Sequence, residues 1–364
     1  MNHRDIFEDL FVLEMANNHW GDVGRGLDII RQHSRMVRFN NVRAALKLQF
    51  RDVDNFIHKD FRDRSDVRYI KKTLDTRLTK EHYATLVDAV KKSGCIPMAT
   101  PFDEASVDLC VEFGMPIFKL ASSDINDWML IEKIAGTKRP VIISTGGTSQ
   151  KDTDDIVTFF ERRNIPLAIN HCVSLYPTEE GELELNQIDY LRNRYPGHVV
   201  GLSTHEHADW QGSITIAYAK GARTFERHID IDAGGIPVSP YCSLPDQVDT
   251  WFKAFNRARN MCGGSPDQKR RPPAREVQYL DALIRGVYAR RDLPAGHVLN
   301  HATVDDDVYL AVPLQKGQLS CRELMSGETL QKVISKDGAV MIDDIDSALA
   351  FTSDLRKAIM ERGL

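Results

Sequence analysis

Eight short apolar runs, each followed by a stretch with helical spacing, constrain this chain more than any other feature of its sequence. They are LFVLEMA (10–16), RAALKLQF (43–50), CIPMATP (95–101), PIFKLAS (116–122), PVIIST (140–145), LAINHCV (167–173), HVVGLST (198–204) and RTFERHI (223–229). Most lack strict polar alternation, which is the pattern of parallel strands buried on both faces. The intervening segments read as helices. GLDIIRQHSRMVRF follows the first run, and DEASVDLCVEFG follows the third, with an acidic first turn and Gly114 as its stop. Eight strand–helix units over roughly 250 residues predict a closed (β/α)8 TIM barrel. An open doubly wound sheet would carry a Gly-rich phosphate loop after its first strand, and this chain has none there.

The pattern changes after the eighth run. Residues 1–262 are read as the barrel. A linker is expected over 263–280, because GGSPDQKRRPPAR is dense in Gly, Pro and charge. Residues 281–345 hold short β-like runs (IRGVYA, VYLAVPL, VISKDGAVM) separated by the turn signals PAG, QKG, SGE and KDG, which predicts a small β-rich domain. Residues 346–364 read as a C-terminal helix.

Composition narrows the function classes. With 42% hydrophobic and 27% charged residues the chain can fill a large core. A formal net charge of -5 points to neither nucleic acid nor an anionic membrane as a partner. The six cysteines are scattered without a CxxC pair, as expected of reduced thiols in a cytoplasmic protein. The N-terminal MNHRDIFEDLF is too charged for a secretory signal, and no stretch of about 18 apolar residues suggests a membrane span.

In a parallel barrel the C-terminal strand ends carry the active site. Glu14 lies at the end of the first run, Lys47 and Gln49 of the second, Thr100 of the third. Lys119 and Ser122 lie at the end of the fourth, and Ser144 and Thr145 of the fifth. His171, Ser174 and Tyr176 lie at or after the end of the sixth, Ser203 and His205 at the seventh, His228 at the eighth. Two lysines within apolar strands are costly unless an anion or a carboxylate accompanies them. Structural ion pairs would explain them. With hydroxyls gathered at the same barrel end, they also fit a site for a small phosphorylated anion. His205 and His228 on neighbouring strands could share a divalent ion or be satisfied core residues, and spacing leaves both open. His171 reads as structural, and His19 and His207 as loop residues.

These stretches resemble the sialic acid synthase family, which also makes legionaminic, pseudaminic and spore-coat sugars. EMANNHWGD (14–22), ALKLQF (45–50), ATPFDEASVDLC (99–110), FKLASSDINDWMLIEKIA (118–135), PVIISTGGT (140–148), NHCVSLYPT (170–178), GLSTH (201–205) and ERHID (226–230) occur in family order. RGVYARRDLPAGHVL and the segment to about Asp344 resemble the family's antifreeze-like domain. The resemblance implies condensation of phosphoenolpyruvate with an N-acyl-hexosamine aldehyde and release of phosphate. Lys47, Thr100, Lys119, Ser122, Ser144, Ser174 and Ser203 would hold phosphoenolpyruvate. His205 and His228 would bind Mn2+ or Mg2+, and Glu14, Tyr176 and Ser239 would meet the sugar. Glu14, Lys47 and Lys119 would be the catalytic set. It further implies a homodimer in which each antifreeze-like domain covers the partner's barrel mouth.

Three departures concern the sugar. Thr204 stands where the family usually has Asp, Ser239 replaces the acidic residue of a GPD-type turn, and Val312-Pro313 replaces Arg-Pro in the cap. With two charged contacts missing, a less polar sugar than N-acetylmannosamine is expected, unless Asp230, Asp232 or Arg322 compensates. The rivals are another phosphoenolpyruvate-dependent ulosonate synthase, an aldolase using Lys119, and an inactive sugar-binding homologue.

Overall fold

The computed structural model describes residues 3–64, 66–346 and 348–364. It divides into two compact units, Met1–Gly263 and Gly264–Leu364. In the first, eight parallel strands close a barrel in sequence order. They are β1 (Leu10–Ala16), β2 (Arg43–Phe50), β3 (Ile96–Pro101), β4 (Ile117–Leu120), β5 (Val141–Ser144), β6 (Leu167–Cys172), β7 (Val199–Thr204) and β8 (Thr224–His228). Each falls within one of the eight apolar runs. β1 closes the barrel against β8, with Glu14 opposite both Lys47 and His228 in the strand registers.

Period-two alternation divides the strand residues between two cores. Phe11, Leu13, Leu46, Leu48, Ile143, Ile169, Leu202 and Phe225 pack outward against the helices. Leu10, Val12, Ala45, Met98, Ile117, Ile142, Ala168 and Val199 form a separate apolar plug inside. The same parity carried two residues further, from Val12, Ala45, Met98, Ile117 and Ile142, reaches Glu14, Lys47, Thr100, Lys119 and Ser144. The strands therefore set a dry floor beneath a polar upper layer, the usual layering of such barrels.

The helices begin and end where side chains satisfy their free backbone groups. Val23–Asn40 is capped by Asp22, whose carboxylate accepts from Gly24 N, and Asn41 ends it in the left-handed conformation. Glu104–Glu112 is capped by Asp103 through Ser106 N. The long β2–β3 connection contains the helix Arg68–Asp75.

The second unit has its own core, built around Val287, Leu293, Leu299, Leu319, Leu330, Val340 and Ile342. β9 (Gly286–Ala289) pairs with β11 (Val308–Ala311), and β10 (Val298–Leu299), β12 (Glu328–Leu330) and β13 (Ile345–Asp346) form a three-stranded sheet. All these pairings are antiparallel. The segment 331–341 (VISKDGAVM within it) contributes isolated bridges, such as Ile334 to Leu293, and no strand. Where the sequence suggested one terminal helix, there are two, Ala348–Phe351 and Ser353–Glu361, separated by an extended Thr352. Among the described residues no helix is long and apolar enough to cross a membrane.

Candidate active site

Above the plug lies a cavity of about 530 Å³. Glu14, Lys47, Thr100, Lys119, Ser122, Ser144, Ser174, Tyr176, Ser203, His205 and His228 all line it. Ser239 does not: it is half-buried, its carbonyl accepts from Cys242 N at 2.9 Å, and Tyr241 faces the cavity in its place. Asp230 is also outside, paired with Arg25 at 2.7 Å. Val312 and Arg322 belong to the C-terminal unit.

The two lysines differ in their surroundings. Lys47 is buried between Glu14 at 2.5 Å and Glu226 at 2.8 Å. Both carboxylates favour its charged form and outweigh the burial that opposes it, so its pKa lies above the usual lysine value. Burial pushes the Glu14 carboxyl up, Lys47 opposes this, and the nearby Glu226 charge adds to it. Burial acts on Glu226 too, but Lys119 and Lys47 overcome it and hold that carboxyl at about 2. Lys119 donates to Ser144 Oγ at 2.6 Å and to the Leu120 carbonyl at 3.1 Å, with no salt bridge among the described residues. Burial lowers its pKa, Glu226 opposes this, and Lys47 pushes it further down.

Beside Lys119, three strand ends bring serines around Gly146. Its backbone N–H donates to Ser122 Oγ at 3.0 Å. A Cβ at Gly146 would lie 2.1 Å from Ser174 Oγ and 2.9 Å from Ser122 Oγ, so only glycine allows this close approach. A cation and convergent hydroxyls with room for oxygen atoms suit a phosphate or carboxylate. Thr100 Oγ1, Glu226 Oε2 and His228 Nδ1 are buried with no hydrogen-bond partner among the described residues. Such groups are costly unless a ligand completes them.

His205 and His228 have ring centroids 5.3 Å apart. His205 Nδ1 engages the Val173 carbonyl at 2.9 Å, leaving Nε2 available. Burial above all holds both imidazoles neutral, at about 3. A neutral ring with a free nitrogen is what a divalent ion requires. Among the described residues no cluster of three or more His, Cys, Asp or Glu groups could hold a metal, so a divalent ion at this pair would have to take its other ligands from substrate or water. The Tyr176 ring is tilted against His205 with centroids 4.0 Å apart, and Tyr241 lies 5.1 Å from Tyr176 and 5.2 Å from His228.

His171 is structural, with Nε2 on the Leu183 carbonyl at 2.7 Å. His19 Nδ1 accepts from Gly21 N in the turn after β1. Glu206 is buried against Arg227 at 2.8 Å, and its side chain does not reach the cavity. Sequence reasoning missed Glu226, although strand parity with His228 marks it as inward-facing. It also missed Arg51, Arg68, Lys72 and Tyr241, which line the same cavity from loops and a loop helix.

The sequence model of the NeuB family matches residues 40–265. A solved structure from Chromobacterium violaceum, ascribed to spore coat polysaccharide biosynthesis protein E, is 38% identical, with a TM-score of 0.89 over 93% of this chain and 100% of that one. Human N-acetylneuraminate-9-phosphate synthase is 24% identical over 79% of this chain and 80% of its own length. N,N'-diacetyllegionaminic acid synthase of Campylobacter jejuni is 23% identical over 81% of this chain and 89% of its own length.

Proposed function

We propose that this chain, which belongs to the NeuB family of sialic acid synthases, joins phosphoenolpyruvate to the open-chain aldehyde of an N-acylhexosamine and releases phosphate. The observation that carries this reading is the meeting of three elements in one cavity. They are the Lys119–serine nest, the Glu14–Lys47–Glu226 cluster and the two neutral histidines.

Lys119, Ser122, Ser144 and Ser174 hold the phosphate, with Lys47, Thr100 and Ser203 completing the phosphoenolpyruvate site. C3 of phosphoenolpyruvate forms a bond to the aldehyde carbon, and the aldehyde oxygen gains a proton to become a hydroxyl. Glu14, whose carboxyl burial holds high, is suited to carry that proton. Water adds at C2, and the resulting tetrahedral carbon collapses to a ketone as phosphate leaves. His205 and His228 would hold a divalent ion, Mn2+ or Mg2+, which when bound polarises the aldehyde. Tyr176 and Tyr241 bound the sugar on the histidine side. We further propose a dimer in which the C-terminal unit, an antifreeze-like domain, covers the partner's barrel; sedimentation as a monomer under assay conditions would refute it.

The test is phosphate release from phosphoenolpyruvate with a panel of N-acylhexosamines. Release that depends on a sugar, with a product of nonulosonic acid mass, is expected. One observation favours a rival: the lowered pKa of Lys119 suits a Schiff-base aldolase. Borohydride trapping of a pyruvate adduct on Lys119 would establish that reading and remove the synthase.

A further inference from the structure

We propose that Arg227 and Glu206 are the positioning residues of the histidine pair. Their buried ion pair ties the ends of β7 and β8 together on the outer side of the barrel wall, and so fixes the spacing of His205 and His228. The inference rests on the reading of those histidines as a metal pair and adds the residues that hold them in place.

Arg227 precedes His228 on β8, and Glu206 follows His205 just beyond β7. Alternation sends neighbouring strand residues to opposite faces. His228 therefore lines the cavity while Arg227 turns outward, where it is 1% exposed. Its guanidinium donates in three directions: to Glu206 Oε1 at 2.8 Å, to the Glu206 carbonyl at 2.6 Å and to Ser243 Oγ at 2.5 Å. Ser243 Oγ also accepts from Trp210 Nε1 at 2.9 Å, and Ser213 Oγ donates to Glu206 Oε1. Both anchors reach the histidines through the backbone. Ser243 N donates to the His228 carbonyl at 2.8 Å. Thr178 N donates to the His205 carbonyl at 3.1 Å, where Thr178 and Glu206 form a parallel bridge.

A buried ion pair is a poor device for stability alone, since well-packed apolar residues of similar volume often serve as well or better. What it supplies is register. Thr204 is the register partner of Arg227 on β7, yet it carries no charge, and its Oγ1 is buried without a partner among the described residues. Nor does Thr204 line the cavity. Glu206, two residues on, answers the guanidinium instead, and it is the only carboxylate bridged to Arg227 among the described residues. The charge absent at position 204 is thus supplied by the residue next to His205, behind the histidines and away from the substrates. Residues that orient a metal's histidines typically govern its affinity by about 10–100-fold.

The experiment uses the full-length protein. It reads Mn2+ affinity by paramagnetic resonance and phosphoenolpyruvate affinity by calorimetry. Arg227→Lys keeps the charge but loses the rigid fork that reaches Glu206 and Ser243 together. It should weaken Mn2+ binding at least tenfold and leave the Kd for phosphoenolpyruvate within twofold. The neutral double variant Glu206→Gln/Arg227→Met should do the same. Native Mn2+ affinity in either folded variant overturns the positioning role. Equal losses of Mn2+ and phosphoenolpyruvate affinity overturn it too, because they mark general damage to the barrel. If the double variant does not fold, Arg227→Lys decides alone, and if neither folds the pair is a folding determinant and the proposal falls. If the native protein binds no Mn2+, or His205→Ala/His228→Ala binds it as well, the metal reading fails separately. Crystal structures of the native protein and Arg227→Lys then decide. Imidazole centroids that leave their 5.3 Å spacing keep the positioning role, and centroids that stay overturn it.

Discussion

Lys47 and Glu226 meet at 2.8 Å inside the barrel, although 179 residues separate them in sequence. β1 stands between their strands and places Glu14 against the same ammonium at 2.5 Å. One cation thus answers two buried carboxylates, and the asymmetry falls on Glu14, whose carboxyl is pushed up while that of Glu226 is held at about 2. Environments that drive two acids apart are how one site obtains a fixed anion and a proton carrier together.

Glu226→Gln should separate the two roles. Loss of its charge relieves the repulsion on Glu14, so the Glu14 carboxyl should fall and the alkaline limb of the pH–rate profile, where Glu14 loses its proton, should move to lower pH. Turnover should drop at least tenfold, while phosphoenolpyruvate should bind more tightly because one negative charge has left the cavity. Weaker binding together with an unmoved pH profile would reduce Glu226 to a packing role.

Lys119→Met should raise the Kd for phosphoenolpyruvate at least tenfold. A charge-assisted hydrogen bond contributes about 1.5–3 kcal/mol. Calorimetry measures this without turnover. Unchanged affinity would mean that the ammonium serves only Ser144 and the Leu120 carbonyl.

The barrel was legible because its determinants are local and periodic: each strand is a short apolar run and each turn has its own chemistry. Site residues within strands were legible for the same reason, since Glu14, Lys47, Thr100, Lys119, Ser144, Ser203 and His228 sit at strand ends that share one layer. Glu226 lines the same cavity, and in the sequence only its two-residue parity with His228 marks it as inward-facing. Arg68 and Lys72 carried no sequence signal, because an exposed basic helix inside a loop looks the same whether it faces solvent or a cavity. Ser239 was inferred by position in a turn, and a turn two residues longer or shorter presents a different side chain, here Tyr241.

The histidine pair can be tested by direct metal binding. Mn2+ titration followed by paramagnetic resonance should show one site in the native protein. His205→Ala and His228→Ala should each weaken it at least tenfold with the circular dichroism spectrum preserved. Chelation should abolish turnover, and Mn2+ should restore it. Binding retained in the double variant would place the metal elsewhere.

The last prediction concerns stability and a histidine outside the cavity. His33 is fully buried on the helix Val23–Asn40 and hydrogen-bonds through Nε2 to the Asp230 carbonyl at 2.9 Å. Since the carbonyl only accepts, Nε2 carries the hydrogen, and Nδ1 is left buried without a partner among the described residues. Burial lowers the pKa to about 4, partly opposed by that hydrogen bond. In the unfolded chain the ring titrates near 6.5, its ordinary value. Between those two values the unfolded state binds a proton that the folded state refuses, so stability must fall as pH drops from about 6.5 to 4. The neighbouring Arg25–Asp230 pair gives a control, because its carboxyl is raised by burial and titrates in the opposite sense. Urea unfolding of the native protein and of His33→Gln, each at pH 7 and pH 5, measures the effect. Glutamine can still donate to the Asp230 carbonyl but cannot titrate, so the variant should lose distinctly less stability between the two pH values, whatever its stability at pH 7. Equal losses in both proteins would show that His33 accepts its proton in the folded state.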